Sequence, residues 1–238
     1  MGLKEIVKTI GRAVKRGIVN GVKKSIEWGT EKVEKIKRFF NPPKPQPPQS
    51  GTFIPTEEQK KKAKSAAQKI KETFPNGTES LEHKTPEQRR ETVESLIQNI
   101  SRDRGLGNIK VEFKSLDCNG AYRPASDTLL INDDLLQCED PNIWKRLMFT
   151  ACHEIEHRHQ FAAMNAMKNH KPFEQYGYSV ERIKDFAENW GEKGENYIDW
   201  EEDVYGYYYQ PLEVDARGFA ELVEEEYERL ISNNSNNF

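Results

Sequence analysis

Apolar positions recur at helical spacing along the front of this chain, and a proline run then cuts the pattern off. Leu3, Ile6, Val7, Ile10, Val14, Ile18 and Val22 fall near one stripe at 3.6 residues per turn. Residues 2–40 therefore read as one or two helices. Lys and Arg fill much of the rest, and Gly11, Gly17, Gly21 and Gly29 weaken the pattern. "NPPKPQPPQSG", residues 41–51, cannot continue a helix, and its five prolines between Pro42 and Pro48 read as a stiff polyproline spacer. The division expected is an arm over 1–40, a linker over 41–51 and a folded domain over 52–238.

Beyond the spacer the pattern alternates between helix and strand. Residues 55–73 predict a lysine-rich helix with Thr56 as its cap, and 74–85 read as turn. "TPEQRRETVESLIQNI" predicts another, with Thr85 as cap, Pro86 in the first turn and Gln88 three residues on. "GNIKVEF", ending at Phe113, alternates as a strand, and residues 120–132 read as a turn followed by a second strand. Asp140 and Pro141 start a helix with an apolar stripe through Trp144, Leu147, Met148, Ala151, Cys152 and Ile155. Residues 171–210 form a mixed insertion rich in Gly, Tyr and acid. A last helix starts near Pro211 and ends before the polar tail "SNNSNNF".

Charge sharpens this division. The net charge of the 238 residues is only -3, yet residues 1–48 carry twelve Lys/Arg against four Glu, and residues 181–238 carry five Lys/Arg against sixteen Asp/Glu. The basic stretch 2–24 fits an anionic membrane surface or a partner protein, and nucleic acid ranks last because no base-reading motif accompanies it. Three cysteines without a close pair do not make a disulfide scaffold, and a reducing compartment is preferred, with Cys152 as a small core residue. No run approaches the roughly 18 apolar residues of a spanning helix, and the start lacks the apolar stretch of a secretory signal. The expectation is a cytoplasmic protein, with membrane association or release by a non-classical route as further options.

The chemistry concentrates in "FTACHEIEHRHQF", residues 149–161. His153 and His157, four apart on a helix, project from one face and can share one Zn2+ at about 2.0–2.1 Å. Glu154 lies about 100° around the helix from His153, where it reaches the water that a zinc ion activates rather than the ion itself. His159 points elsewhere and reads as an exposed neighbour. Gln160 and Ala163 stand where a longer HExxHxxGxxH pattern has glycine and histidine. His83 lies ahead of the strands and His170 falls in a loop, so the third ligand is sought on a later helix. There Glu213 shares a face with Arg217 and with Ala216 and Ala220, two small residues that permit close packing. Glu213 is the favoured ligand; Asp215 is the alternative, or else orients a ligand histidine. Tyr205, Tyr207, Tyr208 and Tyr209 precede this helix, and Tyr208 or Tyr209 is the candidate donor to an oxyanion, with Arg217 as another.

HEIEH followed by "YYYQPLEVDARGFAEL" resembles the gluzincin-type zinc peptidases. Over about residues 105–230 it is similar to small phage- and bacterium-borne metallopeptidase-like domains with a final E-x-x-A-x-x-F-A helix, and more distantly to ImmA/IrrE-type peptidases. The resemblance implies His153, His157 and Glu213 as ligands, Glu154 as base, and a strand in "DTLLINDDLL" that lies along the cleft and takes on substrate as a further strand. The expected fold is α+β: a minimal zincin-like domain, a small sheet with an active-site helix and a ligand helix, carrying an N-terminal helical arm. The expected activity is zinc-dependent hydrolysis of a protein or peptide. The alternatives are a membrane-tethered toxin or effector built on the same domain, and a non-enzymatic, phage-associated or structural protein in which zinc joins two helices.

Overall fold

A computed structural model describes residues 52–75, 81, 83–137 and 143–235. The basic arm, the proline spacer and the Asp140–Pro141 helix start fall outside them.

Two reciprocal capping boxes begin the fold. Thr56 accepts from the Gln59 main-chain N–H and Gln59 answers to the Thr56 N–H, which starts α1 (Glu57–Thr73). Thr85 and Gln88 do the same for α2 (Pro86–Asp103). Among the lysines of α1 a narrow stripe is buried: Gln59, then Ala63, Ala66, Ala67 and Ile70 at the i, i+3, i+4, i+7 spacing of one helix face. Such small side chains let a partner helix approach closely.

Three strands follow: β1 (Lys110–Lys114), β2 (Gly120–Arg123) and β3 (Thr128–Asn132). Their order is β1–β3–β2, with β1 parallel and β2 antiparallel to β3. The turn expected ahead of one strand in 120–132 is itself a strand plus a 3-10 turn at Pro124–Ser126. Asp127 closes that turn at φ +44°, in the left-handed region that Asp tolerates. All five residues of β3 are buried, as a central strand requires.

A short turn, α3 (Asp134–Gln137), leads to α4 (Ile143–Lys168), which carries the HExxH residues. The insertion is ordered into α5 (Val180–Trp190) and α6 (Val204–Tyr209). The last helix, α7 (Pro211–Ser235), runs into the stretch expected to be a polar tail. α7 packs along α1 and along α4, while α4 also lies against β2 and β3. The main core joins Ile70, Leu96, Ile97, Ile100, Leu129, Ile131, Ile155, Phe219 and Tyr227, so both helices that carry candidate ligands are fixed by it. A second cluster of Ala163, Tyr178, Ile183, Phe186 and Leu212 seats the insertion on the other end of α4 and on the start of α7. The architecture is the expected small α+β, zincin-like one. No described helix is long and apolar enough to cross a membrane.

Buried charge fixes the rotation of α4. Arg104, at the end of α2, pairs with Glu156 at 2.5 Å with both side chains fully buried, and its guanidinium lies 4.0 Å from the Phe219 ring centroid. The Tyr178 hydroxyl also donates to Glu156. Arg158 donates to Asp127, Ser101 and the Gly107 and Asn108 carbonyls, so it ties α4 to the end of α2 and to the loops beside the sheet. His153 and His157 project from the adjoining face of α4, where Glu213 of α7 meets them.

Candidate metal centre

Three side chains from two helices meet there. His157 Nε2 lies 3.1 Å from His153 Nε2 and 3.0 Å from Glu213 Oε1, and His153 Nε2 lies 3.2 Å from Glu213 Oε2. All three residues are buried. Ligands bound tetrahedrally at zinc's usual bond lengths stand about 3.3 Å apart, so these donors are within a few tenths of an ångström of an ion-binding arrangement. They form the one cluster of three or more potential ligands among the described residues. An orphaned buried atom adds to the fit: Glu213 Oε2, which faces His153 Nε2, has no hydrogen-bond partner.

Gln160 sets the tautomer of His157. Its amide nitrogen donates to the Leu212 carbonyl at 2.9 Å, so its oxygen must face His157 Nδ1, 3.0 Å away. Nδ1 then carries the hydrogen and Nε2 keeps its lone pair for a ligand. One side chain thus orients a histidine on α4 and anchors the main chain just before Glu213 on α7. In the sequence Gln160 registers only as a departure from a glycine. Phe149 stacks near His153, with 21° between ring planes.

The metal-free electrostatics are those of a cation site. Burial opposes a charge on His157, but Glu213 outweighs it and pushes the imidazole up to about 9. Burial likewise opposes charge on Glu213, and the two histidines hold its carboxyl well below the usual range. A proton stands where the ion's charge belongs.

Glu154 is buried beside this cluster but is not part of it. Burial raises its carboxyl above the usual range, against the pull of His153, His157 and the Tyr122 main-chain N–H. Gly120 allows this closeness. A Cβ there would sit 2.5 Å from Thr150 Cγ2, 2.8 Å from the Leu130 carbonyl oxygen and 3.3 Å from Glu154 Cγ. Gly120→Ala is expected to cost about 1–3 kcal/mol as an overpacked substitution, read as a lower urea midpoint.

Several expectations are corrected. His159 is buried, not exposed: Nδ1 is 3.3 Å from the Tyr178 hydroxyl and the ring packs edge-on against Tyr176. The insertion covers this face of α4, and burial keeps the imidazole well below its ordinary value. Asp215 is neither ligand nor histidine partner. It is buried against Arg182 of α5 at 2.5 Å, and that guanidinium also holds the Pro211 carbonyl. His170 lies, as expected, outside the helix, exposed in the turn that follows α4 at φ +54°. Tyr208 lies under Arg217, 3.7 Å from its ring centroid, and hands it its carbonyl. Tyr209 packs edge-on against Tyr208 and lines a surface pocket with Asp185, Glu188 and Gln210. The hydroxyls that reach Glu213 belong instead to Tyr197, at 2.5 Å, and Tyr207. Both come from the insertion, which offers no periodic signal to single them out. Finally, β3 is paired on both sides, so it cannot accept another strand; the edge beside Glu154 is β2.

The fold and the donor set are consistent with a zincin-type site: HExxH histidines on one helix and a glutamate from a later one, buried together as a cluster that could hold a metal ion. The chain matches no family model, no curated protein and no solved structure.

Proposed function

We propose that this chain is a zinc-dependent peptidase, with His153, His157 and Glu213 holding the ion and Glu154 acting as general base. The observation that carries this reading is Glu154 itself. A zinc ion that only joins two helices needs no carboxylate beside the triad, and a closed structural site takes a fourth protein ligand, which the described cluster lacks. Bound there, zinc supplies Lewis-acid polarisation of a carbonyl and makes water nucleophilic at neutral pH.

The chain's residues supply the rest. Glu154 takes the proton of the attacking water on a carboxylate oxygen and passes it to the leaving nitrogen as the peptide bond breaks. Its raised affinity for a proton, caused by burial, suits both transfers. The peptide lies along β2, whose neighbour on one side is β3 and whose other side is an edge of the sheet. The tyrosine hydroxyls that reach the triad are those of Tyr197 and Tyr207 rather than Tyr208 and Tyr209, and both are engaged by Glu213.

The test is hydrolysis of a broad peptide library by the zinc-loaded full chain, with chelated protein as control. Cleavage lost on chelation and restored by Zn2+ is expected. A chain with about one zinc and no cleavage of any peptide would sink the peptidase reading.

A further inference from the structure

The insertion between the second histidine and Glu213 is the largest feature that the triad leaves unexplained. It brings Tyr197 to Glu213, and the two oxygens of that carboxylate are not equivalent. Oε1 accepts the Tyr197 hydroxyl at 2.5 Å and stands 3.0 Å from His157 Nε2. Oε2 is buried with no hydrogen-bond partner, 3.2 Å from His153 Nε2 and 4.0 Å from Arg217 Nη1. An unpartnered buried carboxylate oxygen is costly unless something positive binds it.

Tyr197 is also well placed to hold its position. Its ring packs against Trp190, centroids 5.7 Å apart, and against Tyr207 at 6.2 Å. The next residue is clamped to the foot of the ligand helix: the Ile198 N–H donates to Gln210 Oε1 at 3.1 Å and Gln210 Nε2 donates to the Ile198 carbonyl at 2.9 Å. Asn189 Nδ2 donates to the same Gln210 oxygen at 2.9 Å, and Asn189 Oδ1 accepts from the Leu212 N–H at 3.2 Å. The hydroxyl therefore moves with α7, not with a free loop.

We infer that Tyr197 is a positioning residue which reserves Glu213 Oε1, so that the carboxylate binds its metal ion through Oε2 alone. This rests on the triad being a metal site, not on the peptidase chemistry. A one-oxygen carboxylate leaves a coordination position of the ion for a non-protein ligand, the condition that separates catalytic from closed zinc sites. Without the hydroxyl, Oε1 is free to turn onto the ion, and the carboxylate binds through both oxygens. The insertion's task at the centre is then to keep the ion's coordination number low. The Tyr207 hydroxyl reaches the same carboxylate.

The probe is Co2+, whose visible absorption is strong in four-coordinate sites and weak at higher coordination, added to the metal-free full chain, with Zn2+ affinity measured by chelator competition. The wild type is expected to give strong four-coordinate bands. Tyr197→Phe is expected to weaken and shift them and to lower Zn2+ affinity about tenfold or more, the range for lost outer-shell partners. Tyr207→Phe is expected to move the bands the same way by less, and it carries the decision where Tyr197→Phe does not fold by circular dichroism. Unchanged bands and affinities within twofold in the folded variants overturn the assignment. A wild type that binds neither ion overturns both it and the metal site. Shifted bands in a chain that cleaves no peptide support the assignment and count against the peptidase reading alone.

Discussion

Glu154→Gln is expected to remove peptide cleavage while the protein keeps about one zinc per chain. The substitution is nearly isosteric. Its amide oxygen can still accept the Tyr122 main-chain N–H that holds the carboxylate now, so the local packing is kept. What disappears is the ability to take and return a proton. General base catalysis contributes about 10²–10⁴-fold, and a loss of that order in kcat/KM is the expected readout, with zinc measured on the same sample. Metal affinity is expected to stay within a few-fold, because Glu154 lies outside the triad. A variant that loses zinc together with activity would move Glu154 into the ligand set. A variant that keeps both would leave the water without its base, and the role would have to pass to another group.

Much of this arrangement can be read from the sequence where a local signal exists. Thr56 with Gln59, and Thr85 with Gln88, announce two helices because each cap is satisfied within one turn. His153 and His157 announce a shared face because helix geometry alone sets it. Glu213 and Asp215 are another matter. Both lie in the first turns of α7, and what separates them is Arg182, 33 positions away, which claims Asp215. The tyrosines fail for a related reason. α6 has six residues, too few for a periodic stripe, and its facing is set by the Gln210 clamp on Ile198. β2 is hidden because four residues led by a glycine carry little alternation; the approach of Thr150 and Glu154 selects that glycine. Glu156 and His159 look like solvated helix residues until the insertion is folded over them.

Substituting a ligand separates the metal from the proton that stands in for it. His153→Ala, His157→Ala and Glu213→Gln are each expected to lower Zn2+ affinity by at least about 100-fold, the upper end for lost outer-shell partners. The pH dependence is the sharper test. In the metal-free protein the His157 imidazole is raised to about 9, chiefly by Glu213 acting against burial. A group raised on folding stabilises fully below its unfolded value, about 6.5, and that stability is lost as pH rises through about 9. Glu213 is lowered, so its contribution is present above its unfolded value and lost as pH falls through the folded one. The metal-free wild type should therefore lose thermal stability as pH rises through about 9. Zn2+ must displace that proton, so its apparent affinity should rise about tenfold per pH unit up to the same point and then level off. The stabilisation by a fixed excess of Zn2+ should grow with it. Glu213→Gln removes the charge that holds the proton on His157. Its weaker affinity should accordingly show little pH dependence between about 7 and 9. Equal slopes in wild type and Glu213→Gln, measured by chelator competition, would mean that Glu213 does not face the ion.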